Sequence, residues 1–104
     1  MVKYRVYISD SAEEDLCGIV KYISSQLVAP ITAAKMMDTI GMALIKLSEI
    51  PHAYPNVKDE RLVLMGYRRV VIKNYIAFFT INEKEKVIDV ERILYARRDW
   101  ANLL

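Results

Sequence analysis

The chain has 104 residues, of which 54% are hydrophobic and 27% charged, with a formal net charge of +2. A domain of this length buries about two-thirds of its unfolded surface without staples, and the composition excludes a disordered chain. No stretch approaches about 18 uncharged apolar residues, which excludes a spanning helix. Lone Cys17 cannot form an internal disulfide, and the opening MVKYRVYISD has no apolar signal run, so the expectation is a reduced, cytoplasmic protein of one domain, residues 1–104.

In chain order, Tyr4, Val6 and Ile8 alternate with Lys3, Arg5 and Tyr7, the period of a half-buried strand. Ser11 with Glu14 forms a capping box, with Asp10 as the alternative cap, and the acids of the first turn suit its unpaired amides. Leu16, Ile19, Val20, Ile23 and Leu27 then make one apolar face, which predicts a helix over about residues 12–27. Pro30 suits the first turn of a second helix, whose inner face is Ala33, Met37, Ile40, Leu44 and Leu47 and which Pro51 ends. Gly41 is expected on or near that inner side, where it permits close approach. After the loop PHAYPNVKDE the pattern becomes that of strands: RLVLM, broken by Gly66, then YRRVVI, YIAFFTI and VIDVERILY, with Lys73-Asn74 as a tight turn. The segregation of elements predicts an α+β domain of β-α-α-β-β-β order. An N-terminal strand precedes an antiparallel helical hairpin, which covers one face of a mostly antiparallel sheet.

Basic residues outnumber acidic ones in the second half of the chain, and Arg61, Arg68, Arg69 and Lys73 occupy a segment with no carboxylate. Such a local field gathers an anionic partner even on a nearly neutral protein, although outward strand faces also use arginine simply to meet water. If the arginines of GYRR and YARR come from neighbouring strands, they converge on one phosphate, because the guanidinium fork matches its oxygens. Tyr67, Tyr75, Tyr95 and Trp100 offer stacking surfaces for single-stranded RNA, against the plainer role of aromatic core residues. His52 stands alone, Cys17 has no base in its helix, and Gly18, Gly41 and Gly66 are isolated. No metal site, cofactor, catalytic thiol or phosphate loop is therefore expected.

The element order and the segments GYRRVVIKNYIAFFTINEKEKVIDVERILYARRDW, AEEDLCGIVKYI and AAKMMDTIGMALIKLSEIP resemble the RelE/ParE superfamily of bacterial toxins from toxin–antitoxin operons. The resemblance spans nearly the whole chain. It implies a cytoplasmic toxin of a type II system with a cognate antitoxin that wraps around it, docking in the groove between helical hairpin and sheet by a partner helix or by strand addition. The RelE-like branch cuts ribosome-bound mRNA by 2'-OH attack on the scissile phosphate. In that branch Arg61, Arg68 and Arg97 match basic residues that hold phosphate or its transition state. Asp59 stands where a second catalytic cation is expected, and Leu103 near the place of the family's C-terminal tyrosine, leaving Trp100 as the aromatic residue there. Guanidinium groups are poor proton shuttles, so the acid–base set is incomplete. This shifts the expectation toward the ParE-like branch, which poisons DNA gyrase by binding. Arg69, Lys73, Tyr95, Arg98 and Trp100 are then candidates for the target or substrate surface.

Overall fold

A computed structural model describes residues 3–104; Met1 and Val2, the first residues of the expected domain, lie outside the described residues. β1 (Arg5–Ile8) is followed by helix α1 (Asp10–Lys21), helix α2 (Pro30–Glu49), a short helix α3 (Glu60–Leu64), and strands β2 (Arg68–Ile72), β3 (Tyr75–Asn82) and β4 (Val87–Tyr95). The strands form one sheet in the order β1-β4-β3-β2. β2, β3 and β4 are the expected antiparallel meander, and β1 joins β4 in parallel. That parallel pairing needs a long connection, and residues 9–86, from the helical hairpin through β3, supply it.

The predicted alternation in β1 is observed: Tyr4, Val6 and Ile8 are half-buried and Lys3, Arg5 and Tyr7 exposed. On one face of the sheet, Leu16, Ile19 and Ile23 join Ile40, Leu44 and Leu47 of α2 over Val70, Phe79, Val90 and Ile93. This face is the main core. The opposite face is covered as well, by a second cluster in which Leu62, Tyr67, Ile76, Phe78 and Leu94 pack with Trp100, Leu103 and Leu104. The C-terminal residues therefore lie across the sheet and do not trail into solvent.

Several local expectations are corrected. Ser9, not Ser11 or Asp10, caps α1: its hydroxyl accepts the Ala12 N–H at 3.0 Å and donates to the Glu91 carbonyl at 2.8 Å. Ser9 wins because its own N–H still pairs with the Val90 carbonyl, so strand end and helix start share one residue. α1 stops at Lys21, and Tyr22–Gln26 wind wider, with the Leu27 N–H reaching the Tyr22 carbonyl five residues back. Leu27 is exposed and Val28, at φ +50°, makes the reversal into α2. On α2, Met37 and Gly41 face outward, and a Cβ built on Gly41 would meet nothing, so that glycine serves no close approach.

The largest correction concerns RLVLM, which is helical and not a strand. The Asp59 carboxylate accepts the Leu62 N–H at 3.2 Å as an N-cap. At the other end Gly66, at φ +86°, lets its own N–H reach the Val63 carbonyl and the Tyr67 N–H reach the Leu62 carbonyl. This is a Schellman stop, in which the left-handed residue is almost free of cost for glycine alone. Leu62 is fully buried while Leu64 is 89% exposed.

Candidate functional site

Strand register decides where each arginine points. Arg68 pairs with Phe79, whose side chain is in the helix-side core, whereas Arg69 pairs with Phe78 on the opposite face. Arg68 donates from Nη1 to the Tyr54 carbonyl at 2.7 Å and, more weakly, to the His52 carbonyl at 3.5 Å. Its guanidinium thus anchors the turn Pro51–Ala53 and the residue after it. Arg61, on α3, donates from Nη2 to the Ala101 carbonyl at 2.9 Å and holds the C-terminal segment against the sheet. Arg97 is exposed on the turn after β4.

The predicted convergence of Arg68 with Arg97 does not occur. β3 lies between their strands. Arg68 also sits level with Val90, through Phe79, so Arg97 is displaced by about 20 Å along the sheet at 3.3 Å per residue.

Two other groupings replace it. At the far end of the sheet the turn Lys73-Asn74 abuts the exit of β4, where the Ala96 N–H donates to the Asn74 carbonyl at 2.8 Å. Lys73, Arg97 and Arg98 are all exposed there, and among the described residues none is in an ion pair. Tyr95 stands beside them, edge-on to Tyr75 with ring centroids 5.9 Å apart. This is a cationic, aromatic rim.

The second grouping lies on the face away from the helices. A β-bulge in β4 places both Glu91 and Arg92 between Val90, opposite Phe79, and Ile93, opposite Ala77, so Arg69, Phe78 and Arg92 form one cross-strand row. Trp100 leans on Phe78 at 5.1 Å and closes the row from above. The Arg69 Nε is buried without a hydrogen-bond partner among the described residues. Arg92, which sequence reasoning passed over, is the centre of this region. It forms a two-point contact with Asp15 at 2.8 and 3.0 Å and donates to the Leu103 carbonyl at 3.1 Å. The hydrogen bonds it donates to Asp15, above all, raise the guanidinium further into its charged form. Burial, then Asp89, raises the carboxyl of Glu91, while burial, then Glu91, raises the phenol of Tyr67.

A groove of about 780 Å³ runs between the helical hairpin and the β3–β4 end of the sheet. Gly18, Tyr22 and Leu27 line it from the helical side, and Tyr75, Tyr95 and Arg98 from the sheet side. Away from both regions, Glu83 joins His52 at 2.8 Å and also binds Tyr4 and Lys86, tying the start of β1 to the β3–β4 turn.

This fold recurs among solved structures. The chromosomal ParDE toxin–antitoxin system of P. aeruginosa contains a chain similar at 20% identity and TM-score 0.74, over 91% of this chain and 98% of that one. The RelBE2 toxin–antitoxin complex of Mycobacterium tuberculosis contains one similar at 18% identity and TM-score 0.63, over 90% and 99%. No curated protein matches the chain. The family model described as the ParE toxin of the type II toxin-antitoxin system, parDE, matches residues 6–100. With the sheet order and helical hairpin in place and almost the full length matched, the chain belongs to this toxin family of the RelE/ParE superfamily, whose members pair with a cognate antitoxin.

Proposed function

We propose that the protein is a ParE-like toxin that inhibits DNA gyrase by binding and cleaves no RNA itself. The observation that carries this reading is the fate of the three arginines expected to hold phosphate. Arg61 and Arg68 donate to backbone carbonyls of their own fold, and Arg97 lies at the other end of the sheet from Arg68. A nuclease needs a cation, a base and an acid around one phosphorus atom, and these three arginines do not gather around one point. The match to the ParE family model supports the same choice. We assign the target contact to the cationic rim of Lys73, Tyr95, Arg97 and Arg98, where charge and aromatic surface are free to be desolvated by a partner.

One observation favours the alternative of an mRNA endoribonuclease. Glu91, raised by burial, stands near Tyr67 and next to Arg92 on the arginine face, a proton acceptor beside cations. The deciding experiment adds folded toxin to a gyrase supercoiling reaction and, separately, to a purified translation reaction with mapping of mRNA 5' ends. The expected result is blocked supercoiling with intact message, and the Lys73→Glu/Arg97→Glu variant should lose the block while staying folded. Toxin-dependent 5' ends that vanish in Glu91→Gln, with supercoiling unaffected, would overturn the gyrase reading.

A further inference from the structure

Helix α2 carries a second apolar face. Ala33, Ile40, Leu44 and Leu47 hold it to the core. On its other side Ile31, Lys35, Asp38, Met42, Ile45 and Glu49 recur at alternating steps of four and three, and all six are exposed. At about 100° per residue they stay within roughly 50° of the line that points straight away from the core. Alternating steps of this kind make a heptad seam, the pattern with which one helix meets another. Its apolar members stand well out of the surface, with Ile31 73% exposed, Met42 72% and Ile45 59%. Neither Lys35 nor Asp38 is in an ion pair among the described residues. None of the six lines the groove between hairpin and sheet, so the seam is a separate surface.

We propose that this seam binds the same seam on a second copy of the chain, antiparallel across a two-fold axis, to form a weak homodimer. Charge sets the direction. A parallel pair on a two-fold axis sets each residue against its own copy, Lys35 on Lys35 and Asp38 on Asp38, and like charges repel. In an antiparallel pair residues 31, 38 and 45 of one copy face residues 35, 42 and 49 of the other, and the permitted registers lie seven residues apart. One register matches at every layer. Ile31 meets Met42 of the second copy, Asp38 meets Lys35, and Ile45 falls level with the turn where Val28 is 81% exposed. By symmetry each contact is made twice. Sliding by one heptad sets Ile31 on Glu49, Asp38 on Met42 and Ile45 on Lys35, and two heptads set Asp38 on Glu49. One heptad the other way leaves Ile31 on Lys35. The apolar side chains supply the attraction, while the exposed charges add little affinity and select the register. A single helix pair is smaller than the roughly 1,600 Å² of a standard interface, so the dimer is weak. The inference holds whichever target the toxin has.

The test follows the full chain, freed of antitoxin, by sedimentation velocity from about 5 to about 500 µM for wild type, Ile31→Glu, Lys35→Asp, Asp38→Lys and Lys35→Asp/Asp38→Lys. These positions are exposed, so every variant keeps the wild-type circular dichroism and a cooperative melt. The wild type should pass from monomer to dimer with a Kd of roughly 10–100 µM. Ile31→Glu should weaken association by at least about ten-fold and each single charge variant by about five-fold, and the double variant should return to within about three-fold of wild type. A wild-type chain that stays monomeric throughout would overturn the proposal. So would a dimer that Ile31→Glu leaves intact, or a double variant no better than its parents. Antitoxin affinity is measured on the same variants: a monomeric toxin whose Ile31→Glu form loses antitoxin would give the seam to the antitoxin and overturn the homodimer.

Discussion

Asp15→Ala tests the physical account of this fold most directly, because one carboxylate there pairs the outward Ile93 N–H of β4 and holds Arg92. It accepts three hydrogen bonds, from the Arg92 Nε and Nη2 and from the Ile93 N–H, at 2.8, 3.0 and 3.0 Å. Truncation strands the Ile93 N–H at a position where the residue is 1% exposed, which costs about 1–3 kcal/mol. It also removes the countercharge of a guanidinium; breaking a buried pair on one side costs about 3–5 kcal/mol. The low end of that range applies, since the two side chains keep 23% and 12% exposure and Arg92 retains the Leu103 carbonyl. These losses overlap, so the sum is about 3–4 kcal/mol, a fall in melting temperature of roughly 12–20 °C for a domain of this size. Urea unfolding of wild type, Asp15→Ala, Arg92→Met and the double variant gives the loss and the coupling. Asp15→Asn, which keeps an acceptor for Ile93, should lose about half as much. A loss below about 1 kcal/mol for Asp15→Ala, or coupling below about 0.5 kcal/mol, would refute the reasoning and make the pair an ordinary solvated one.

Trp100→Ala should cost about 2–3 kcal/mol by opening the second core over Phe78; chemical unfolding gives the value, and a loss below about 0.5 kcal/mol would mean the C-terminal segment is not docked. Trp100 is the only tryptophan, so its emission should redden in a single transition together with the far-ultraviolet circular dichroism. Gly41→Ala should stabilise by about 0.5–1 kcal/mol, because the site is helical, outward and open around a new methyl group; destabilisation would show that Gly41 is packed after all. The carboxyl of Glu83 is held down at about 2, first by Lys86 and then by Tyr4 and His52. A depressed value means that its contribution is complete above the unfolded carboxylate value of about 4.3 and is lost as pH falls toward 2. The melting-temperature gap between wild type and Glu83→Gln should therefore be small, salt-sensitive and closing between about pH 5 and pH 2.5, and a gap that does not change across that range would contradict the network.

Much of the architecture is legible in local chemistry. The three- and four-residue spacing of Leu16, Ile19 and Ile23, the prolines at 30 and 51, and the short Lys73-Asn74 turn each specify their element with few competing outcomes. RLVLM reads as a strand because Leu62, Val63 and Leu64 form an apolar run without a period. Such a run is ambiguous between helix and strand. The flanking Asp59 and Gly66, an N-cap and a left-handed stop, carried the missing signal.

The candidate site was less legible, for a geometric reason. The second half of the chain reads as arginine-rich and aromatic, and the order of most elements follows from their periods. Which face each arginine serves depends on strand register, where a shift of one residue reverses every side chain. Arg68 and Arg69 are adjacent in the sequence yet belong to opposite faces, and the bulge at Glu91 gives Arg92 to the same face as Arg69. Sequence by itself determined the elements, their order and the chemistry available, because caps, turns and apolar periods act over a few residues. Only the tertiary structure decided that Asp15 pairs the Ile93 N–H of β4, that Arg61 and Arg92 hold the C-terminal segment, and that the turn carrying Lys73 abuts the one carrying Arg97 and Arg98. Those contacts join residues far apart in the chain, and no local free energy encodes their pairing.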